Sequence, residues 1–140
     1  MTPYVRQLIS ESDYQIFLGI RQVVEKLPDL TLDDGNEGDE ISCHMLVRAL
    51  KPFFPVNVCD GFFYGYYQHS WLETKGGHVI DIYPVGILGG PILVEASICR
   101  LTAPSQKLYR KNSRIYRGKF SKPEFKTAVK ILRKHIEVLF

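Results

Sequence analysis

The stretch from Asn57 to Pro84 constrains the fold more than any other part of the chain. "NVCDGFFYGYYQHSWLET" is dense in Val, Phe, Tyr and Trp, residues that suit a pleated, half-buried surface. Gly65 marks a turn or bulge between two strands, and Lys75-Gly76-Gly77 a tight hairpin turn before "HVIDIYP". The middle of the chain is therefore expected to form antiparallel strands. Two of them carry a polar residue inside an apolar run, His69 in one and Asp81 in the next.

Whether those two residues meet depends on turn parity. Side chains alternate along a strand, so His69, Trp71 and Glu73 share one face, and Val79, Asp81 and Tyr83 share one face of the following strand. A loop of Thr74-Lys75-Gly76 puts His69 directly opposite Asp81. A loop of Lys75-Gly76-Gly77 pairs Thr74 with His78 and sets Asp81 opposite Trp71, diagonal to His69. Either odd-length loop brings imidazole and carboxylate onto one face within cross-strand reach. A two-residue Lys75-Gly76 loop separates them.

Helices flank this block. "SESDYQIFLGIRQVVEKL", 10–27, starts with cap-type residues and spaces Ile16, Ile20, Val23, Val24 and Leu27 as one apolar stripe, ended by Pro28. An acidic, glycine-rich loop follows. Ser42 then caps a short helix over about 43–51, with Met45, Leu46, Ala49 and Leu50 inward and Pro52 and Pro55 as stops. Residues 90–101 fit a strand or a short helix equally. Residues 102–119 are polar and irregular, with one more strand expected near Ser113 to Tyr116. The last helix opens on Ser121-x-x-Glu124, a capping pattern, and buries Phe125, Val129, Leu132, Ile136 and Leu139. This order of elements predicts one α+β domain over 1–140: N-terminal helices packed on an antiparallel sheet, with a C-terminal amphipathic helix.

Composition narrows the function. With 45% hydrophobic and 24% charged residues, the chain has the make-up of a soluble globular protein. No apolar run approaches the ~20 residues of a membrane helix, and the N-terminus lacks a secretory core. Cys43, Cys59 and Cys99 form no C-x-x-C pair, which argues for a reducing compartment. A cytoplasmic location is expected, or export as an effector that carries no N-terminal signal. From Lys107 onward there are eleven bases against two acids, a net +9, whereas the preceding residues sum to −6. That basic third would suit an acidic partner through Lys107, Arg110, Lys111, Arg114 and Arg117. A binding module that tracks phosphates and stacks bases on Tyr109 and Tyr116 is the competing reading. No nucleic-acid motif accompanies it.

Chemistry centres on Cys43, at the start of the short helix. Unpaired N–H groups and the helix dipole there favour a thiolate, and the same N–H groups can hold an oxyanion. With His69 as base and Asp81 fixing its tautomer, the three have the components of an acyl-transfer triad. Nothing in that chemistry requires a metal or cofactor. His44, next in the helix, points about 100° away from Cys43 and is not expected to be the base. A metal site from Cys43, His44, His69 and Asp81 lacks the usual ligand spacing. Trp71 and Tyr67 are candidate substrate contacts within an aromatic cluster that otherwise packs the core. Glu73 and His78, near the turn, are expected at the surface; Cys59 and Cys99 are expected in the core.

"SCHMLVRAL", then "HSWLE", then "VIDIYP" resembles the transglutaminase-like core of the papain-fold cysteine enzymes over roughly 41–84. Cys43, His69 and Asp81 match the family's triad positions, and Trp71 and Glu73 complete its H-x-W-x-E strand motif. The resemblance implies a papain-like fold. It also implies a cysteine-dependent protease, deamidase or transglutaminase that acts on protein or peptide amides through a thioester. No local motif marks the family's oxyanion side chain. Gln68 alternates away from His69 and is not assigned that role; Asn36 and Asn57 are candidates with no motif behind them.

Overall fold

Among the described residues, five antiparallel strands form one sheet, and its register places His69 and Asp81. The structure, a computed structural model, describes residues 8–28, 42–65, 67–84, 89–100, 108–112, 118 and 120–140. The strands are β1 (Asn57–Phe63), β2 (Tyr67–Glu73), β3 (Val79–Asp81), β4 (Ile92–Val94) and β5 (Tyr109–Lys111), in the order β4-β3-β2-β1-β5. Among the described residues, three helices, α1 (Glu11–Lys26), α2 (Cys43–Leu50) and α3 (Pro123–Glu137), join the sheet in an α+β arrangement. Among the described residues, no helix is long and apolar enough to cross a membrane.

One sheet face is packed by the helices. Phe17, Ile20 and Val23 of α1, Met45, Leu46 and Leu50 of α2, and Phe125, Val129, Leu132 and Ile136 of α3 form a buried cluster with Leu72 and Ile80. Burying each such side chain contributes roughly 1.5–3 kcal/mol. The other face carries a smaller cluster of Cys59, Trp71, Val79 and Tyr109. Both clusters exist because β2 alternates: Ser70 and Leu72 look one way, His69 and Trp71 the other.

The β2–β3 hairpin has the odd parity. Leu72 pairs with Ile80 and Glu73 with Val79, and Thr74 N–H donates to the His78 carbonyl at 2.9 Å. The loop is thus Lys75-Gly76-Gly77, with Gly77 at φ +84°, a backbone angle glycine adopts without penalty. Asp13 of α1 anchors the turn: its carboxylate accepts from Thr74 Oγ1 at 2.8 Å and from Gly76 N–H at 3.1 Å. Continuing the register one step sets Asp81 opposite Trp71. A close approach on the other flank makes Gly61 obligatory, since a Cβ there would lie 1.9 Å from the Arg110 carbonyl oxygen of β5.

Several local expectations are corrected. In α1 the expected stripe is present, with Ile20 and Val23 buried and Ile16, Val24 and Leu27 partly buried against the same cluster, but Asp13 and Phe17 are buried on that side as well. Ser121 does not cap α3; the N-cap is Lys122, without a side-chain bond, and Ser121 Oγ donates to the Gly118 carbonyl instead. Residues 90–101 hold both a strand and a 3-10 turn, Ile98–Arg100. The late strand is Tyr109–Lys111, while the expected position from Ser113 to Tyr116 lies outside the described residues, as does most of the acidic loop. His78 is buried rather than solvated. Its Nδ1 accepts from Ala96 N–H at 3.1 Å, so the ring proton sits on Nε2.

Candidate active site

Cys43 is the first residue of α2, and the local sequence explains why. Ser42 adopts an extended backbone and its Oγ accepts from Met45 N–H at 3.2 Å, so the helix starts at the cysteine. Its sulfur lies 3.5 Å from His69 Nδ1. On the far side of the ring, His69 Nε2 lies 2.8 Å from Asp81 Oδ1. His69 and Asp81 are 3% and 0% exposed, and Cys43 is half-buried. The three candidate residues therefore form one chain, with the sulfur at its more accessible end.

By the hairpin register His69 lies diagonal to Asp81, and because β3 ends at Asp81 the position opposite His69 falls beyond the strand. Trp71 stacks against the His69 ring at 6.2 Å between centroids, and Phe63 meets it edge-on at 6.1 Å. Burial alone pushes the imidazole's pKa down. The hydrogen bonds to Asp81 and Cys43, with their charges, more than offset that and raise it from 6.5 to about 9. The imidazolium is thus the favoured form near neutrality, and a cation beside the sulfur is what a thiolate needs.

A fourth residue joins the chain. Tyr109 of β5 donates its hydroxyl to Asp81 Oδ2 at 2.6 Å, so both carboxylate oxygens are satisfied without solvent. Burial, the Asp81 charge and this bond push the phenol's pKa far up, keeping it protonated as the donor. Sequence reasoning assigned Tyr109 to base stacking. At 8% exposure, with its hydroxyl engaged, it has no free face for that role. The one available signal was that an aromatic in β5 would face His69 if β5 paired with β1, and the short strand gave no way to foresee that pairing.

The other candidates fall in varied places. Trp71 is 1% exposed, so it is a packing residue under His69 rather than a substrate contact. Tyr67, two positions before His69 on the same face, is exposed. Glu73 is half-buried and holds Lys111 Nζ at 2.9 Å. Gln68 is exposed, Asn57 pairs with Glu73 at the opposite end of β2 from Tyr67, and Asn36 lies outside the described residues. Cys59 is buried, and burial pushes its thiol up to about 11, against a lowering by Lys111. Arg110 is exposed and stacks over Phe62 at 5.0 Å; Lys107, Arg114, Tyr116 and Arg117 lie outside the described residues. Among the described residues, no group of three or more His, Cys, Asp or Glu is gathered as a metal would require. A scan against protein-family models, a search of curated proteins and a search of solved structures found no match to this chain.

Proposed function

We propose that the protein is a cysteine-dependent acyl-transfer enzyme acting on amide bonds of a protein or peptide, built on the papain-like, transglutaminase-like core its motifs resemble. The observation that carries this reading is the unbroken chain from Cys43 Sγ through His69 to Asp81, at 3.5 Å and 2.8 Å.

The steps follow from that order. Cys43 passes its proton to His69 Nδ1, and the imidazolium is held by Asp81 through Nε2–H. The thiolate attacks the amide carbonyl carbon, a C–S bond forms, and the carbonyl electrons move to oxygen. First-turn N–H groups of α2 hold that oxyanion. As it collapses, the C–N bond breaks and the departing amine takes the proton from His69 Nδ1, leaving a thioester and a neutral imidazole. His69 then deprotonates a water or an amine that attacks the thioester, and the sulfur leaves as the thiolate. Water completes hydrolysis or, where the first leaving group was ammonia, deamidation; an amine completes transamidation. Arg110, exposed on the edge strand β5, would meet an acidic segment of the substrate, whereas Lys111 is already engaged by Glu73.

Alkylation by iodoacetamide at pH 6, with the modified sites mapped, tests the reading. An unassisted thiol is only on the order of 0.3% ionised there. Cys43 is expected to react well before Cys99, with Cys59 last. Equal reactivity of the three, or Cys43 slowest, would remove the mechanism.

A further inference from the structure

On the other face of β2 lies a second polar chain that the proposed chemistry does not use. His44 Nδ1 sits 2.6 Å from Ser70 Oγ, and both side chains are buried. Ser70 Oγ gives its only proton to Asp60 Oδ1, so the His44 ring must donate to Ser70 and carries its proton on Nδ1. Asp60 Oδ2 takes Arg48 Nη2 at 2.6 Å, and Arg48 Nη1 reaches back to the His44 carbonyl at 2.9 Å. Arg48 is one turn after His44, so the loop of bonds closes on α2. It is backed by Phe120, whose ring lies 3.8 Å under the guanidinium, and by Arg133 of α3, which donates to the Arg48 carbonyl at 3.0 Å.

We propose that His44 is a positioning residue: its bond to Ser70, braced by Asp60 and Arg48, fixes the first turn of α2 against β2 and so holds the Cys43 sulfur at His69. The inference rests on the acyl-transfer reading of Cys43. Its physical ground is that consecutive residues of the helix, Cys43 and His44, bond consecutive residues of the strand, His69 and Ser70. Strand alternation puts those two bonds on opposite faces of β2. A contact on one face alone leaves the helix end free to swing about it; the second contact removes that freedom. Ser70 is 0% exposed, so it is no nucleophile despite its His and Asp neighbours.

The test uses the whole chain and the iodoacetamide rate of Cys43 at pH 6. His44→Phe keeps a ring against Phe120 but has no donor, whereas His44→Asn places an amide N–H close to where Nδ1–H lies. His44→Phe is expected to slow Cys43 at least about tenfold, the scale of a small misplacement of reacting groups. His44→Asn should stay within about twofold of the parent. A parent-like rate in folded His44→Phe, or an equal loss in both variants, would overturn the proposal. Should neither variant fold, nitrogen chemical shifts of the parent's His44 ring decide, since a proton on Nε2 contradicts the donated bond and one on Nδ1 supports it. A reactive Cys43 indifferent to His44→Phe sinks this inference alone; a parent Cys43 no faster than Cys99 sinks the acyl-transfer reading with it.

Discussion

The two faces of β2 carry the same kinds of group and end differently. On one, His69 and Asp81 lead to the half-buried Cys43; on the other, His44 and Asp60 meet at the fully buried Ser70. Both histidines are buried and each chain includes an aspartate. The aspartates differ in their partners. Asp60 faces Arg48, a permanent cation, so its charge is already balanced. Among the described residues, Asp81 hydrogen-bonds His69 and the neutral Tyr109, so its charge draws a proton onto the imidazole. A buried carboxylate beside a titratable base supports proton transfer, whereas one beside arginine ties elements together.

Exchanging the carboxylates separates the two faces most strongly. Asp81→Asn is expected to slow Cys43 alkylation at pH 6 on the order of a hundredfold, because the imidazolium that supports the thiolate is lost. The same substitution should change how stability varies with pH. His69 has its pKa raised from 6.5 to about 9 in the folded state. It therefore contributes stability that is complete below about 6.5 and lost as pH rises through about 9. Thermal melting across that window should fall in the parent and flatten in Asp81→Asn. Asp60→Asn is expected to reverse the balance, costing about 2–3 kcal/mol of unfolding free energy by stranding Arg48 and slowing alkylation only about tenfold.

Smaller changes refine the contrast. Tyr109→Phe leaves one oxygen of the buried Asp81 carboxylate without its donor, at about 1.5–3 kcal/mol in denaturant unfolding. Cys43 should still outpace Cys59 in that variant, because the His69–Asp81 bond remains; loss of that order would place Tyr109 among the residues the thiolate depends on. At the foot of the scale, Lys111→Met removes an exposed partner of Glu73 and should move the melting midpoint by no more than about 0.5 kcal/mol equivalent. A larger shift would mean that this edge of the sheet couples to β2 more tightly than a screened surface pair does.

Much of the site was legible because parity is arithmetic. Alternation along 67–73 and 79–81, with an odd loop between, puts His69 and Asp81 together whatever surrounds them. The choice among the two odd loops and the even Lys75-Gly76 loop was not legible. The loop that formed is anchored by Asp13, whose contacts to Thr74 and Gly76 span 61 and 63 residues. A buried acid in the first turn of a helix looks, in sequence, like a dipole-matching surface acid. His78 was misplaced for a related reason: a turn-flanking histidine is solvated unless another strand end comes over it, and here Ala96 does. The Ser121 capping pattern was outweighed by a backbone that made Lys122 the cap.

The sequence by itself determined the α+β class, the start of α2 at Cys43, and the rule that an odd hairpin loop sets His69 and Asp81 on one face. These follow from caps, apolar periodicity and the two-residue repeat of a strand, all of which act within a few residues. Only the tertiary structure decided that Tyr109 completes the Asp81 shell, that His44 and Ser70 bond behind the triad, and that Cys43 stands 3.5 Å from its base. Those contacts join segments 26 to 28 residues apart. Their geometry comes from helix-on-sheet packing and strand register, to which local propensity is blind.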